Sequence, residues 1–344
     1  MKACVLHNIN DLRCEEVQMP TPVEDEVLLR IHASGICGSD IQRVFEKGTY
    51  HFPTIPGHEF AGEITAVGSK SDEALLGQKA AVFPLLPCFS CPACQIGEYA
   101  QCQNYDYYGS RRDGGFAEYL CVNKWNLVMV PEQVSFEEAA MCEPAAVALH
   151  ALSRAEINLG DTVTIFGAGA IGIILAKIAR LRGAGQVILA DIDQTKLDFA
   201  QKLECGVCIN NAKEDIASII MKLTGNKGSN VTVEGTGSGA ALASCLAVTA
   251  AFGHVVLMGN PLGDMNIPQK AYWEILRKQL TLSGTWNSSY NGFQNDWQKA
   301  IAAMPSLRLS ELITHRYRLD QCNEAFAMLK KREEFAVKVM FINK

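Results

Sequence analysis

The sequence predicts an α/β protein of two domains, one β-rich and irregular, the other a doubly wound parallel sheet. Three observations carry this expectation. Between residues 160 and 285, short β-rich runs alternate with helical segments at a regular interval. The first 150 residues instead show strand-like stretches punctuated by glycine and proline. The length of 344 residues also exceeds what one core usually serves.

The strands of the second domain are read at "VTIF" (163–166), "VILA" (187–190), "VCI" (207–209), "VTVE" (231–234), "HVVLMG" (254–259) and "LTLSG" (280–284). Between them "AIGIILAKIARLRG", "QTKLDFAQKLE", "EDIASIIMKLT" and "GAALASCLAVTA" have helical patterning. Six strands alternating with helices predict a parallel sheet covered on both faces, the dinucleotide-binding plan. In the first domain "EVLLRIHASG" and "EFAGEITAVGS" read as strands. Near the end, "WQKAIAAM" and "QCNEAFAMLKKRE" read as helices and "AVKVMFI" as a strand. That last strand has no place in the six-strand series and is expected to return to the N-terminal domain.

Composition narrows the function classes. A net charge of −6 leaves no basic footprint for nucleic acid or an anionic membrane. No apolar run reaches the roughly 18 residues of a membrane span. The N-terminal "MKACVLHNINDLRCEEV" is interrupted too early by charge for a signal peptide, so a cytoplasmic protein is expected.

Thirteen cysteines in a reducing compartment are not a disulfide framework. Most of the scattered ones suit small buried hydrophobes. Cys88, Cys91, Cys94 and Cys102 differ, because their C-x2-C-x2-C-x7-C spacing lets four thiolates converge locally. A closed tetrahedral zinc site accounts for them, and an iron–sulfur cluster uses similar spacing. Either anchors a loop, and the expectation is a structural zinc that does no chemistry.

In "VTIFGAGAIGIILA", Gly167, Gly169 and Gly172 form G-x-G-x-x-G between a strand and a helix. Gly167 makes the turn, Gly169 admits pyrophosphate to the backbone, and Gly172 allows close helix–sheet packing. Ala170 and Ile171 open the helix, whose free N–H groups face an anion. Asp191 ends the next strand, where an acid accepts from the ribose hydroxyls and repels a 2′-phosphate, which favours NAD over NADP. Asp193 suits the cap of the following helix. Gly259 with Met258, and Thr285 with Gly284, are expected beside the nicotinamide.

A second constellation lies upstream: Cys37, Ser39 and Asp40 in "GICGSD", His58 and Glu59 in "GHEF", and Glu143 in "MCEPAAVALH". Cys37, His58 and Glu143 supply the sulfur, nitrogen and oxygen donors of a catalytic zinc with one open position. They span more than a hundred residues, so spacing alone leaves their convergence open. Taken singly, they suit a buried thiol, a core histidine and a helix-start carboxylate.

The order "GICGSD", "GHEFAGEITAVG", the four-cysteine lobe, "GGFAEY", "EPAAVALHAL" and "GAGAIG" resembles the zinc-dependent medium-chain dehydrogenases over essentially the whole chain. Within them it is most similar to the polyol and polyol-phosphate dehydrogenases. The resemblance implies a GroES-like catalytic domain at 1–152 and 286–344, with a structural zinc lobe at 84–105, around a Rossmann NAD domain at 153–285. It implies two zinc ions per chain, the catalytic one on Cys37, His58 and Glu143, with Glu59 beside it as an alternative ligand and Asp40 orienting His58. Zinc would then act as a Lewis acid on the reacting alcohol while hydride passes to NAD+. Ser39 would pass on the alcohol proton. Gln42 stands where simple alcohol dehydrogenases often carry a relay histidine, so water and Glu59 or Glu143 would complete the route. A homodimer or homotetramer is implied, built on the edge strands of the NAD domains.

The implied substrate is a small polyol or polyol phosphate. Tyr50 and His51 are candidates for the pocket mouth or for an ordinary exposed loop. Arg111 and Arg112 are candidates for a phosphate clamp, although neighbours on an extended strand cannot both point inward. Salt bridges to Asp113 or Glu118 are the alternative. An unphosphorylated polyol or amino-alcohol dehydrogenase is the nearest rival. A zinc-free quinone-type reductase of the same fold and an NAD-sensing protein without turnover are more distant ones.

Overall fold

A computed structural model describes residues 1–261, 263–332 and 334–343. Its contacts divide the chain into two units, Met1–Ala146 with Ser289–Lys344, and Val147–Ser288.

The second unit holds six strands, Thr162–Phe166, Gln186–Asp191, Val207–Asn210, Ser229–Glu234, Thr249–Leu257 and Thr281–Gly284. Numbered along the chain, they lie in the order 3-2-1-4-5-6, and every neighbouring pair is parallel. Val163, Ile165, Ile188, Leu189, Val231, Val233, Val255 and Val256 are all buried. Continuous apolar strands are what a sheet covered on both faces requires.

Helices Ala170–Leu181, Gln194–Lys202, Ile216–Leu223 and Gly239–Val248 occupy the expected intervals. Asp193 caps the second of them by accepting from Thr195 N at 2.9 Å. Two details depart from the sequence expectation. The segment expected to stay helical through Ala250 ends at Val248, and the fifth strand begins at Thr249. The Thr249 hydroxyl is shared between Cys245 O (2.6 Å) and Thr232 Oγ1 (2.8 Å), which fastens the helix end to the neighbouring strand. A further helix, Gln269–Lys278, lies between strands five and six.

In the first unit a seven-stranded sheet is built on Glu26–Ile36, whose burial alternates: Val27, Leu29, Ile31 and Ala33 face inward. This strand pairs antiparallel with Glu59–Val67, Tyr119–Asn123 and Lys338–Ile342. The C-terminal strand therefore returns to the first unit. One apolar core gathers Val27, Leu29, Ile31, Phe60, Ile64 and Val82. Another gathers Leu6, Phe116, Phe326 and Phe341, with the Phe116 and Phe341 rings edge-on at 5.0 Å. Among the described residues, no helix is long and apolar enough to cross a membrane.

The two glycines of the first βα turn differ in what surrounds them. A Cβ on Gly172 would collide with the carbonyl oxygen of Gly167, whereas one on Gly169 would face open space. Gly172→Ala should therefore destabilise the protein by about 1–3 kcal/mol, the usual cost of overpacking. Gly169→Ala should leave stability unchanged. Urea denaturation of both variants checks the pair.

Candidate active site

Four thiols form the first cluster. Cys91 and Cys94 Sγ lie 3.5 Å apart, Cys91 and Cys102 3.9 Å, and Cys88 and Cys94 4.0 Å. Four sulfurs at the zinc–thiolate distance of about 2.3 Å would be separated by roughly 3.8 Å. The spacing fits one ion; a multinuclear iron–sulfur cluster would spread its cysteines wider. Hydrogen bonds from Ser90 hold the Cys88 thiol down to about 5, while burial and the adjacent thiols push Cys94 up to about 12. Thiolates crowded this closely repel one another unless a cation replaces their protons. The lobe packs through Phe89, Tyr99 and Trp125, whose ring centroids lie 4.9–5.7 Å apart. Asn291 Nδ2, from the C-terminal segment, donates to Gly97 O at 3.0 Å and ties it down.

Cys37, His58 and Glu59 form the second cluster, their donor atoms all within 4.8 Å of one another. Cys37 is half-buried at the start of helix Gly38–Gln42, and its N–H bonds to Asp40 Oδ2 at 3.0 Å. His58 and Glu59 are buried at the entrance to strand Glu59–Val67. His58 Nδ1 lies 3.3 Å from Asp40 Oδ1, misaligned for a hydrogen bond. Burial alone would lower the His58 pKa, but the Asp40 carboxylate, with Cys37 adding, raises it well above its ordinary value. Burial works against ionised Asp40 as well, yet His58 and Arg43 hold its carboxyl below the usual range.

Glu143, the third donor expected from sequence, is not part of this tight group, which instead includes Glu59, the alternative ligand also expected from sequence. Glu143 is nonetheless buried in the same electrostatic neighbourhood. Burial raises its pKa to about 7, with His58 and Lys338 opposing and Glu59 reinforcing the shift. The sulfur, nitrogen and oxygen donors fit a catalytic zinc, and half-buried Cys37 leaves one side approachable.

Three residues here escaped the sequence. Lys338 Nζ meets Glu59 Oε2 at 2.5 Å, both side chains buried. A lone lysine in the apolar "AVKVMFI" was the available signal. Arg43 Nη1 donates to Ser39 Oγ (2.9 Å) and Asp40 Oδ1 (2.8 Å), a helical i,i+3/i+4 arrangement that spacing could have exposed. Tyr107 is packed against His58, with ring centroids 5.9 Å apart. Burial, then Glu143, drives its pKa well above the ordinary value.

The arginine pair separates. Arg112 ion-pairs with Asp106 at 3.3 Å, both near the surface. Asp113 and Glu118, the partners expected from sequence, instead accept from Ile55 N and Lys2 N. Arg111 is clasped between the rings of Tyr50 (4.2 Å) and Tyr105 (4.3 Å). Its Nη1 donates to Tyr105 O at 3.1 Å, while Nε is buried without a partner. His51 holds the same loop through Arg111 O at 3.0 Å. Tyr50 is 70% exposed, as a pocket-mouth residue can be.

In the second unit the expected cofactor residues share one edge of the sheet. Gly167, Gly169, Ala170, Ile171 and Gly172 follow strand one, and Asp191 closes strand two. Gly259 and Thr285 follow strands five and six, with Thr285 N bonded to Leu257 O at 3.1 Å. These are the carboxyl ends of parallel strands, where doubly wound sheets bind ligands. Asp191 Oδ2 accepts from Ala168 N at 2.8 Å, coupling the acid to the glycine turn. Glu234, unmarked in the sequence, accepts from Thr236 N and Gly237 N and holds the loop after strand four.

Residues 23–132 match the family model described as "Alcohol dehydrogenase GroES-like domain", and residues 170–306 match "Zinc-binding dehydrogenase". Galactitol 1-phosphate 5-dehydrogenase of Escherichia coli (strain K12) is 36% identical over 299 residues, 85% of this chain and 86% of the relative. Sorbitol dehydrogenase of Bacillus subtilis (strain 168) is 32% identical over 350 residues, 99% of this chain and 96% of the relative. The crystal structure of galactitol-1-phosphate dehydrogenase from Escherichia coli superposes with a TM-score of 0.93 at 34% identity, covering all of both chains.

The raised pKa of Glu143 gives a pH signature in the metal-free protein. With a folded value of about 7 against an ordinary 4.5, its contribution to stability is complete below about 4.5 and is lost as pH rises towards 7. Relative to Glu143→Gln, the metal-free wild type should therefore lose stability between about pH 5 and about pH 7.5. Thermal melts of both proteins in chelator across that window check the sign.

Proposed function

The chain belongs to the zinc-binding alcohol dehydrogenase family and is an NAD-dependent alcohol or polyol dehydrogenase, and we propose that it oxidises a secondary hydroxyl of a polyol phosphate. The substrate proposed is galactitol 1-phosphate, and the product tagatose 6-phosphate. The observation that carries the dehydrogenase chemistry is the cluster of Cys37, His58 and Glu59 donors. The phosphate assignment rests on Arg111, and on the relative whose name specifies that ester.

Cys37, His58 and Glu59 are proposed to hold the catalytic zinc, with Glu143 close by as a further carboxylate. Cys88, Cys91, Cys94 and Cys102 are proposed to hold a second, structural zinc. When bound, the catalytic zinc supplies a Lewis acid and NAD+ supplies the hydride acceptor. The remaining work falls to side chains. Asp40 faces Nδ1 of His58 and leaves Nε2 as the free donor. Lys338 balances the charge of Glu59 inside the fold. Ser39 Oγ accepts from Arg43 with one lone pair, which leaves its other lone pair to take the alcohol proton and its own hydrogen to pass onward. Asp191 is proposed to take the adenosine ribose, which selects NAD.

Arg111 suits a phosphate. Its guanidinium carbon is held 4.2 Å from the Tyr50 ring and 4.3 Å from the Tyr105 ring, and arginine's planar fork suits phosphate oxygens. Arg112, paired with Asp106, is left out of the proposed clamp. The sixth strand, Thr281–Gly284, forms an edge of its sheet and exposes Leu282, and we propose it as the contact of a homodimer.

Turnover of galactitol 1-phosphate, galactitol and sorbitol, followed as NADH formation, tests the substrate class. The phosphate ester should be strongly preferred. Arg111→Lys should raise its KM about 10- to 100-fold, the scale of one or two charge-assisted hydrogen bonds, with little change in kcat. Free polyols should be unaffected by the substitution. Equal turnover of ester and free polyol would remove the phosphate assignment and leave the dehydrogenase chemistry intact.

A further inference from the structure

Three cysteines outside both donor clusters meet around the N-terminal hairpin. Cys4 lies in strand Lys2–Asn8 and Cys14 in strand Asp11–Glu16, directly opposite each other in antiparallel register. The N–H of Cys4 bonds to Phe116 O at 2.8 Å, away from the partner strand, and Leu6 N does the same with Thr54 O. Cys4 and Cys14 therefore form a non-hydrogen-bonded pair, the narrow kind, with Cα atoms about 4.5 Å apart and side chains on one face. That separation lies inside the range of about 4.4–6.8 Å that a disulfide spans.

The pair differs in exposure. Cys4 is fully buried and Cys14 is half-buried. Cys322, at the start of helix Cys322–Lys331, shares the core of Cys4, and Cys14 packs at its margin. The three do not form a donor group tight enough for an ion, which sets them apart from the zinc thiolates. A hydrogen bond from Cys4 lowers the Cys14 thiol to about 7, with Lys2 assisting against burial. Cys322 is also lowered by Cys4, but Cys4 has one hydrogen to give and also faces Leu319 O at 3.4 Å. Cys14 is the member that solvent reaches, so it is the one placed to react first.

We propose that Cys4 and Cys14 are a peroxide-oxidisable dithiol that closes to an intrachain disulfide across the hairpin. The Cys14 thiolate attacks one oxygen of hydrogen peroxide; the O–O bond breaks, water leaves, and a sulfenic acid forms. The Cys4 sulfur then attacks the sulfenic sulfur. The S–O bond breaks, the S–S bond forms, and the Cys4 proton leaves with the hydroxyl as a second water. Two thiols lose two electrons, and one peroxide becomes two waters.

The test uses the full-length, zinc-loaded protein, treated with hydrogen peroxide, alkylated, and digested with trypsin without reduction. Cleavage after Lys2, Arg13 and Arg318 puts Cys4, Cys14 and Cys322 on separate peptides. The expected product joins residues 3–13 to residues 14–30, short by two hydrogens, and appears before zinc is released to a chromogenic chelator. Cys14→Ser should abolish it and Cys322→Ser should leave it. Cys4→Ser should leave Cys14 trapped as a sulfenic acid. A first link between Cys14 and Cys322, a first link within Cys88–Cys102, or an unlinked Cys14 in the wild type would each overturn the proposal.

Discussion

The buried ion pair of Lys338 and Glu59 is the constraint on which the rest of the first unit depends. Strand Glu26–Ile36 lies between Glu59–Val67 and Lys338–Ile342, with Gly35 opposite Glu59 on one side and Met340 on the other. A side chain at Gly35 would strike the Glu59 carboxylate, so its absence is what lets Lys338 reach across the middle strand. Burying either charge alone would be severely unfavourable, and paired they tolerate the apolar interior. The last strand thus places an ammonium against the Glu59 carboxylate beside Cys37 and His58.

The same balance extends outward. Asp40 is fully buried between His58 and Arg43, and Arg43 in turn reaches Ser39. Glu143 is buried nearby, and that burial raises its pKa, with Glu59 adding to the shift and His58 and Lys338 opposing it. In the four-cysteine lobe the paired sulfurs lie 3.5–4.0 Å apart, the spacing that one ion would bridge.

How much of this was legible in the sequence depends on whether the signal was local. The six strands, the glycine turn and the cysteine lobe rest on short-range patterns, and the strands and thiols appear where those patterns place them. "AVKVMFI" was legible as a strand out of series, and its return to the first unit follows from having no partner in the second. Both Glu143 and Glu59 were named from sequence around the catalytic donors, but their relative placement was not legible; the pairing of strands at Gly35 brings Glu59 to Cys37 and His58. The fates of Arg111 and Arg112 were likewise hidden, because the turn at residues 109–113 sends one guanidinium between two tyrosines and the other to Asp106.

The most direct measurement is the fate of the hydrogen on the oxidised carbon. Galactitol 1-phosphate carrying deuterium at carbon 5 would be turned over with NAD+ by the zinc-loaded enzyme, and both products analysed by mass spectrometry. Deuterium recovered in the reduced nicotinamide, matched by unlabelled tagatose 6-phosphate, is the result expected of hydride transfer from a polyol phosphate. Label lost to solvent, or retained in unreacted ester while a free polyol is oxidised, would contradict it.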